Sequence, residues 1–337
     1  MLKYIINRLL LLIPTLIGVV TLVFFMIALA PGDPARVMLG ERASKEKIER
    51  LREDLGLDKP LIQQYGLYMQ RVAHLDFGKS IKSGQKVMNE IKERFPATIE
   101  LAICAMIFAT ILGILIGVIS ATKKNTWVDF SAMVGALFGV SMPVFWLALV
   151  MIMVFSVGLN LFPTGGRINI RYYFSPETNF YLLDTFKYIF TGHPEYFTSA
   201  LHHLILPSIA LGTIPLAIIA RTTRSSMLEV LKQDYIKTVR SAGIKESRVI
   251  YRYALRNALL PVITVIGLQF GLLLSGAILT ETIFAWPGIG KWLYQAIEAR
   301  DYPAVQGGII IISTCFVLIN LVVDILYSIV NPKIRLQ

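Results

Sequence analysis

Residues 97–121 read ATIELAICAMIFATILGILIGVISA, and the fold class follows from this run. A helix needs about 20 consecutive apolar residues to cross the hydrocarbon core of a bilayer. Five further runs of comparable character occupy residues 9–30, 133–159, 203–220, 259–280 and 307–330. The chain as a whole is 55% hydrophobic and 16% charged, where a soluble domain carries about a quarter charged residues. Disorder is excluded on the same ground, because disordered chains are poor in apolar residues. Cys104 and Cys315 both lie in apolar runs, so they build neither a disulfide framework nor a thiolate metal cluster. The expectation is an all-α membrane protein with six transmembrane helices.

The first run resembles a signal peptide, with Lys3 and Arg8 before it and Ala28-Leu29-Ala30 at its end. It is longer than an h-region of about 7–15 residues, and Pro31 would follow the scissile bond, so it reads as a retained span. With the N-terminus inside, the inner segments hold 15 Lys and Arg and the short outer loops hold 5. The positive-inside rule then puts both termini in the cytoplasm. The remaining 13 basic residues lie in 31–94, a loop long enough to translocate regardless of charge.

That outer segment carries 23 charges and reads as a small helical insert. Ser44 caps a helix that stops near Gly56, Pro60 opens a second running towards His74, and a third enters the second span after Pro96. Residues 159–202 hold 11 Phe and Tyr with only six charges. Two readings stand for them: an interfacial aromatic belt, or a docking surface for an external partner. The domain division is 1–94, the first span with the outer helical loop, and 95–337, the core with an inner loop at 221–258.

Catalytic motifs are incomplete. Gly78-Lys79-Ser80 lacks the glycine that a phosphate-binding loop needs five positions earlier, where Ala73 stands. In the run Trp286-Pro287-Gly288-Ile289-Gly290-Lys291 the Mg²⁺-binding hydroxyl is replaced by Trp292. His193, Glu195, His202 and His203 do not have metalloprotease spacing, and the remaining histidine, His74, lies in the outer loop. The expectation is no catalytic site, no metal and no cofactor in this chain.

Polar groups inside spans are expensive and point to function or assembly. Asp324 stands in the last span and reads either as an ion-pair partner of an inner basic residue or as a proton relay. Gln269 and Asn320 line a polar path or hydrogen-bond between helices. The pairs Gly113/Gly117, Gly135/Gly139 and Gly267/Gly271 permit close helix approach. Pro143 and Pro207 each remove a backbone donor and are expected to kink their spans.

The inner loop 221–258 carries nine basic and three acidic residues. Leu228, Leu231, Tyr235, Val239 and Ala242 recur at helical spacing and mark one face, and Gly243 offers the left-handed position that ends a helix. A second helical stretch, 245–260, leads to Pro261 and the fifth span. From composition alone the loop is equally a basic patch held by anionic lipid.

The run Asp234-Tyr235-Ile236-Lys237-Thr238-Val239-Arg240-Ser241-Ala242-Gly243, followed by Leu255-Arg256-Asn257-Ala258-Leu259-Leu260-Pro261, resembles the cytoplasmic signature loop of bacterial ABC-importer permeases. It is most similar to the dipeptide/oligopeptide branch, in its B-type subunits. Pro31-Gly32-Asp33-Pro34, Leu55-Gly56-Leu57-Asp58-Lys59-Pro60, Pro96-Ala97-Thr98, the run from Trp286, Arg300-Asp301-Tyr302-Pro303 and Asp324-Ile325-Leu326-Tyr327 before Asn331-Pro332 are similar as well. Two features depart from the wider family: Lys237-Thr238-Val239 stands where Glu-Ala-Ala is familiar, and the interval from the glycine to Leu-Pro is longer than in sugar permeases.

The resemblance implies a type I importer-permease fold in the bacterial inner membrane, pairing with a second similar permease. It also implies two cytoplasmic ATPase subunits that bind ATP and Mg²⁺, and an external binding protein that delivers dipeptides or oligopeptides. No nucleic-acid partner is implied, and membrane lipid surrounds the spans. Leu228, Leu231, Asp234, Tyr235, Lys237, Arg240, Ala242 and Gly243 are the expected coupling residues, fitting a groove on one ATPase. Nickel or another small solute is an alternative cargo. A secondary transporter would place several ionisable groups at the membrane midplane, and a membrane enzyme would need the catalytic constellation that is missing.

Overall fold

The computed structural model describes residues 2–29, 35–36 and 44–330. The motif at 31–34, residues 331–337 and the side chain of Asp324 lie outside the described residues. Among the described residues the architecture is helical, with one isolated antiparallel bridge between Lys79 and Lys86. Five helices are long and apolar enough to cross a membrane, and a bent pair makes six if it counts as one span.

The N-terminal helices follow their punctuation. After α1 (Leu2–Ala28), α2 (Lys45–Leu55) starts beyond Ser44 and ends at Gly56, whose φ of 69° is left-handed. α3 (Leu61–Ala73) runs from Pro60 to His74. The next helix departs from expectation. α4 (Val87–Thr122) begins well before Pro96 and carries that proline inside it. One missing donor does not break a helix whose turns on both sides are buried at Ile91 and Ala97.

The third apolar run is a broken element rather than a kinked span. α5 (Trp127–Ser141) and α6 (Val144–Met151) meet at 103°, and α6 widens into π-helical turns over Ile152–Gly158. Met142 and Pro143 are both extended, with ψ of 130°. The proline ring excludes its predecessor from the helical region, and here that exclusion turns the chain. Pro207 instead stays within the unbroken α8 (Glu195–Val230), which follows α7 (Tyr181–Phe190).

The inner loop also differs from its sequence reading. Residues 221–230 are the last turns of α8, the chain turns at 231–233, and α9 spans Asp234–Ser241. The five apolar positions from Leu228 to Ala242 therefore do not share one helix. The second stretch is continuous with the fifth span: α10 (Glu246–Arg248) passes through π-helical turns at Val249–Ala254 into α11 (Leu255–Gly276). Then come α12 (Ile278–Ile283), α13 (Ile289–Glu298) and α14 (Tyr302–Val330).

The chain forms two compact units. Among the described residues, one contains those of 2–96 together with 288–318, so the region after Pro287 groups with the N-terminal segment. Its core gathers Phe24, Tyr68, Phe77, Val87, Ile91, Trp292 and Leu293. Ser80 Oγ donates to Asp301 Oδ2 at 2.5 Å, and the Lys82 and Ala304 amides donate to the same carboxylate. This carboxylate satisfies a tight turn and the start of α14 together.

The other unit, residues 97–287 and 319–330, is built around α8, which packs against α5, α6, α7, α11 and α12. Glycines set its closest approaches. A Cβ at Gly113 would lie 3.0 Å from Leu216 O, and one at Gly117 would lie 2.7 Å from Ala220 O. The first glycine pair thus brings α4 against α8. Of the second pair, Gly139 meets Thr213 and Gly135 faces open space.

Candidate functional site

α9 is short and polar in composition, yet it is anchored. Ile236 is fully buried and joins Val118 and Ala121 of α4, Met227 and Val230 of α8, and Val249, Ala254 and Ala258 of the α10–α11 stretch. Leu228, Leu231, Tyr235 and Val239 pack on this cluster half-buried. They pack on the chain's own core and leave part of each side chain open to solvent. Each apolar side chain desolvated this way contributes roughly 1.5–3 kcal/mol when fully buried. Tyr235 adds a polar tie: its hydroxyl donates to Tyr253 O at 3.3 Å and accepts from Asn257 Nδ2 at 2.7 Å.

The opposite face of α9 is exposed. It carries Asp234 and Lys237, paired at 2.8 Å, together with Thr238, Arg240, Ser241, Ala242 and Gly243. Arg240 reaches across the turn to Glu246 with contacts of 2.6 and 3.2 Å, and this carboxylate holds the guanidinium above its usual pKa. Gly243 has φ 74°, and a Cβ there would meet nothing within 4 Å. The glycine is required by backbone conformation, not by crowding.

Two buried polar clusters of the same unit escape sequence reasoning. In the first, Asp129 at the start of α5 accepts from Ser120 of α4, from the Asn125 amide at 3.0 Å, and from Arg224 of α8 through Nε and Nη2, both at 2.7 Å. In the second, Arg167 donates to Glu100 Oε2 at 2.5 Å and to Asn179 O at 2.9 Å. Its guanidinium lies 3.7 Å from the centroid of the Tyr181 ring and 5.3 Å from that of Trp286. Glu100 also accepts from the Leu182 amide in the first turn of α7, where the helix dipole favours an anion. Nearby on the same helices, Thr98 donates to Glu281 at 2.5 Å and Trp286 Nε1 donates to Ala97 O at 2.9 Å.

The 159–194 segment is thus fastened to α4 and to the turn after α12. Its neck is tight as well: the Gly166 amide donates to Phe284 O, and a Cβ at Gly165 would lie 2.5 Å from that oxygen. Its aromatic rings pack edge-on among themselves, as Phe174 does against Tyr181 at 4.9 Å, and Tyr188 stacks on Tyr196 of α8 at 4.7 Å. Ile170 and Tyr173 remain 99% and 90% exposed, so this segment also presents an apolar face. Gln269 and Asn320 are half-buried on α11 and α14, two helices that approach closely where a Cβ at Gly267 would run into the Val323 side chain.

Comparison with known proteins follows this geometry closely. Residues 113–336 match the model of the binding-protein-dependent transport system inner membrane component, and residues 1–102 match the corresponding N-terminal model. The dipeptide transport system permease protein DppB of Alkalihalophilus pseudofirmus is 53% identical over 335 residues, covering 99% of this chain and all of that protein. The di/tripeptide transport system permease protein DppB of Pseudomonas aeruginosa is 52% identical over 339 residues, with both chains covered completely. The dipeptide permease DppB of Escherichia coli K12 is 52% identical over 339 residues, 99% of each chain.

Proposed function

The chain belongs to the binding-protein-dependent transport system inner membrane components, and from that membership we propose that it is the permease subunit through which an ABC importer passes dipeptides. The observation that carries this reading is similarity from end to end, at 52–53% identity, to permeases named for dipeptide and di/tripeptide transport. The chain is a multi-pass inner-membrane protein. A second permease of the same family completes the pathway, two ATPase subunits supply the energy, and an external binding protein delivers cargo. ATP and Mg²⁺ are bound by the ATPases, and this chain performs no catalysis.

In this reading both termini and α9 face the cytoplasm, as the basic asymmetry favours. The exposed side of α9, with Asp234, Lys237 and Arg240, contacts an ATPase, while its buried side transmits force. Because Ile236 is packed against α4, α8 and α11 together, displacement of α9 displaces the ends of three membrane helices. The rim charges govern encounter and salt dependence more than affinity. Gly243 sets the angle at which the chain leaves α9 for the fifth span.

Reconstitution tests the reading. The complex of this chain with its permease and ATPase partners, placed in proteoliposomes with the binding protein, is expected to accumulate labelled alanyl-alanine only when ATP is supplied. ATP-dependent accumulation of labelled nickel, with no dipeptide transport, would move the cargo to the metal. A cysteine at Lys237 is expected to crosslink to an ATPase subunit; normal transport with no crosslink would remove α9 from the coupling role.

A further inference from the structure

The Asp129–Arg224 pair stands apart from the contacts described for α9. Asp129 is 5% exposed and has all of its acceptor capacity engaged, by Ser120, the Asn125 amide and both arms of the Arg224 fork. These donors come from three places: the end of α4, the turn between α4 and α5, and α8. A bidentate guanidinium–carboxylate pair fixes orientation as well as distance. An apolar contact at the same place would permit sliding.

The position of Arg224 gives this fork its meaning. It lies on α8 six residues before the helix ends at Val230, and three residues then lead to α9. α8 runs unbroken for 36 residues, so motion at its end is carried along its length. The neighbouring α4 cannot yield independently, because Gly117 brings it against Ala220 O. α5 is different. It is the first arm of the element bent by 103° at Pro143, and Gly139 near its far end packs on Thr213 of α8. Asp129 holds the near end of α5, and Gly139 seats the far end. Arg224 itself lines two open clefts, one with Leu228, Glu229 and Lys232, the other with Trp127 and Phe130, so α5 and α8 can turn there as a pair while the fork stays closed.

We propose that Arg224 and Asp129 are positioning residues that relay displacement of α9, through α8, to the broken element α5–α6. The inference rests on the coupling role of α9 and adds the path by which that motion reaches the bent span. Apolar packing around Ile236 moves the helix ends together; the fork makes α5 turn with α8.

The test uses the complete transporter in proteoliposomes, comparing Arg224→Lys, the charge-neutral double variant Asp129→Asn/Arg224→Gln, and the exchange Asp129→Arg/Arg224→Asp. Lysine keeps the charge and loses the fork, and the double variant avoids stranding a buried charge. The readout is the ratio of ATP hydrolysis with loaded binding protein to basal hydrolysis, beside the yield of assembled complex. We expect normal yield and normal Lys237→Cys crosslinking in the first two variants, with the ratio falling about fivefold or more, as for loss of a typical coupling energy. Partial recovery of the ratio in the exchange variant supports a direct relay. An unchanged ratio in either of the first two variants when it assembles, or loss of assembly in all three, overturns it. Absence of the crosslink in a complex that carries Lys237→Cys alone would instead remove the coupling role of α9, so the two failures are distinguishable.

Discussion

α9 and the 159–194 segment are attached to the same helical unit by opposite means. α9 is held by apolar burial spread over seven buried side chains around Ile236, and its ion pairs, Asp234–Lys237 and Arg240–Glu246, lie at the surface. The 159–194 segment is held by a few buried polar contacts centred on Arg167, while apolar side chains such as Ile170 and Tyr173 point outwards. α4 serves both regions. Glu100 and Ser120 are separated by 20 residues on it, about 30 Å at 1.5 Å per residue. Dispersed burial tolerates deformation, because no single contact is decisive. A buried ion pair is all or nothing, since removing one partner strands the other charge. The difference suits a segment that moves as a unit with its helices and another that must keep its shape.

The comparison can be broken most directly at Arg167. Arg167→Ala is expected to lower stability by about 3–5 kcal/mol, because Glu100 is left buried without its cation. Arg167→Gln with Glu100→Gln is expected to lose less than that single change. Thermal denaturation of the detergent-solubilised complex measures both; equal losses would mean that the pair contributes packing alone. Ile236→Ala is expected to follow at about 2–5 kcal/mol, as for truncation of an aliphatic core side chain. A loss below the range would show that α9 is held by Tyr235 and its hydrogen bonds instead.

Two glycines sharpen the contrast. Gly165 has no room, with Phe284 O in the way, whereas Gly243 has room but a left-handed backbone. Gly165→Ala is therefore expected to lose about 1–3 kcal/mol through overpacking, and Gly243→Ala about 1–2 kcal/mol through strain. Gly243→Asn should be milder than Gly243→Val, since asparagine visits the left-handed region more readily. Equal effects of Asn and Val on ATP hydrolysis would argue against the backbone explanation. The smallest effect belongs to the surface pairs. Asp234→Ala and Arg240→Ala are each expected to change stability by about 0–1 kcal/mol, while altering the salt dependence of ATPase association in a titration of ionic strength.

Much of this was legible in order along the chain. Gly56, Pro60 and Gly243 act through their own backbone, so their helix ends could be read from residue type, whereas Ser44 stands at the N-cap of α2 without a side-chain cap hydrogen bond. The apolar runs located the membrane helices for the same local reason. Pro96 and Pro143 show where local reading stops. Both lack the same donor, yet one is carried inside α4 and the other turns the chain by 103°. The proline rule states the penalty, and surrounding packing decides whether it is borne.

The side chains that organise the candidate site were the least legible. Asp129 and Arg224 are 95 residues apart, and Glu100 and Arg167 are 67 apart. Glu100 is a single charge near the start of the apolar run 97–121, and Arg224 is one of nine bases in the inner loop, so neither stands out by type. Ile236 fell outside the chosen stripe, because that stripe assumed one helix through the turn at 231–233. An acid at the start of an apolar run, as at Asp129, was the available signal, but nothing local names its partner. The sequence by itself determined the membrane class, the helix punctuation and the segment bearing α9, since hydropathy, proline geometry and glycine conformation act within a few residues. Tertiary structure alone decided which face of α9 is free, how the third apolar run bends, and which charges meet inside the bundle, because burial and ion pairing depend on helices far apart in the chain.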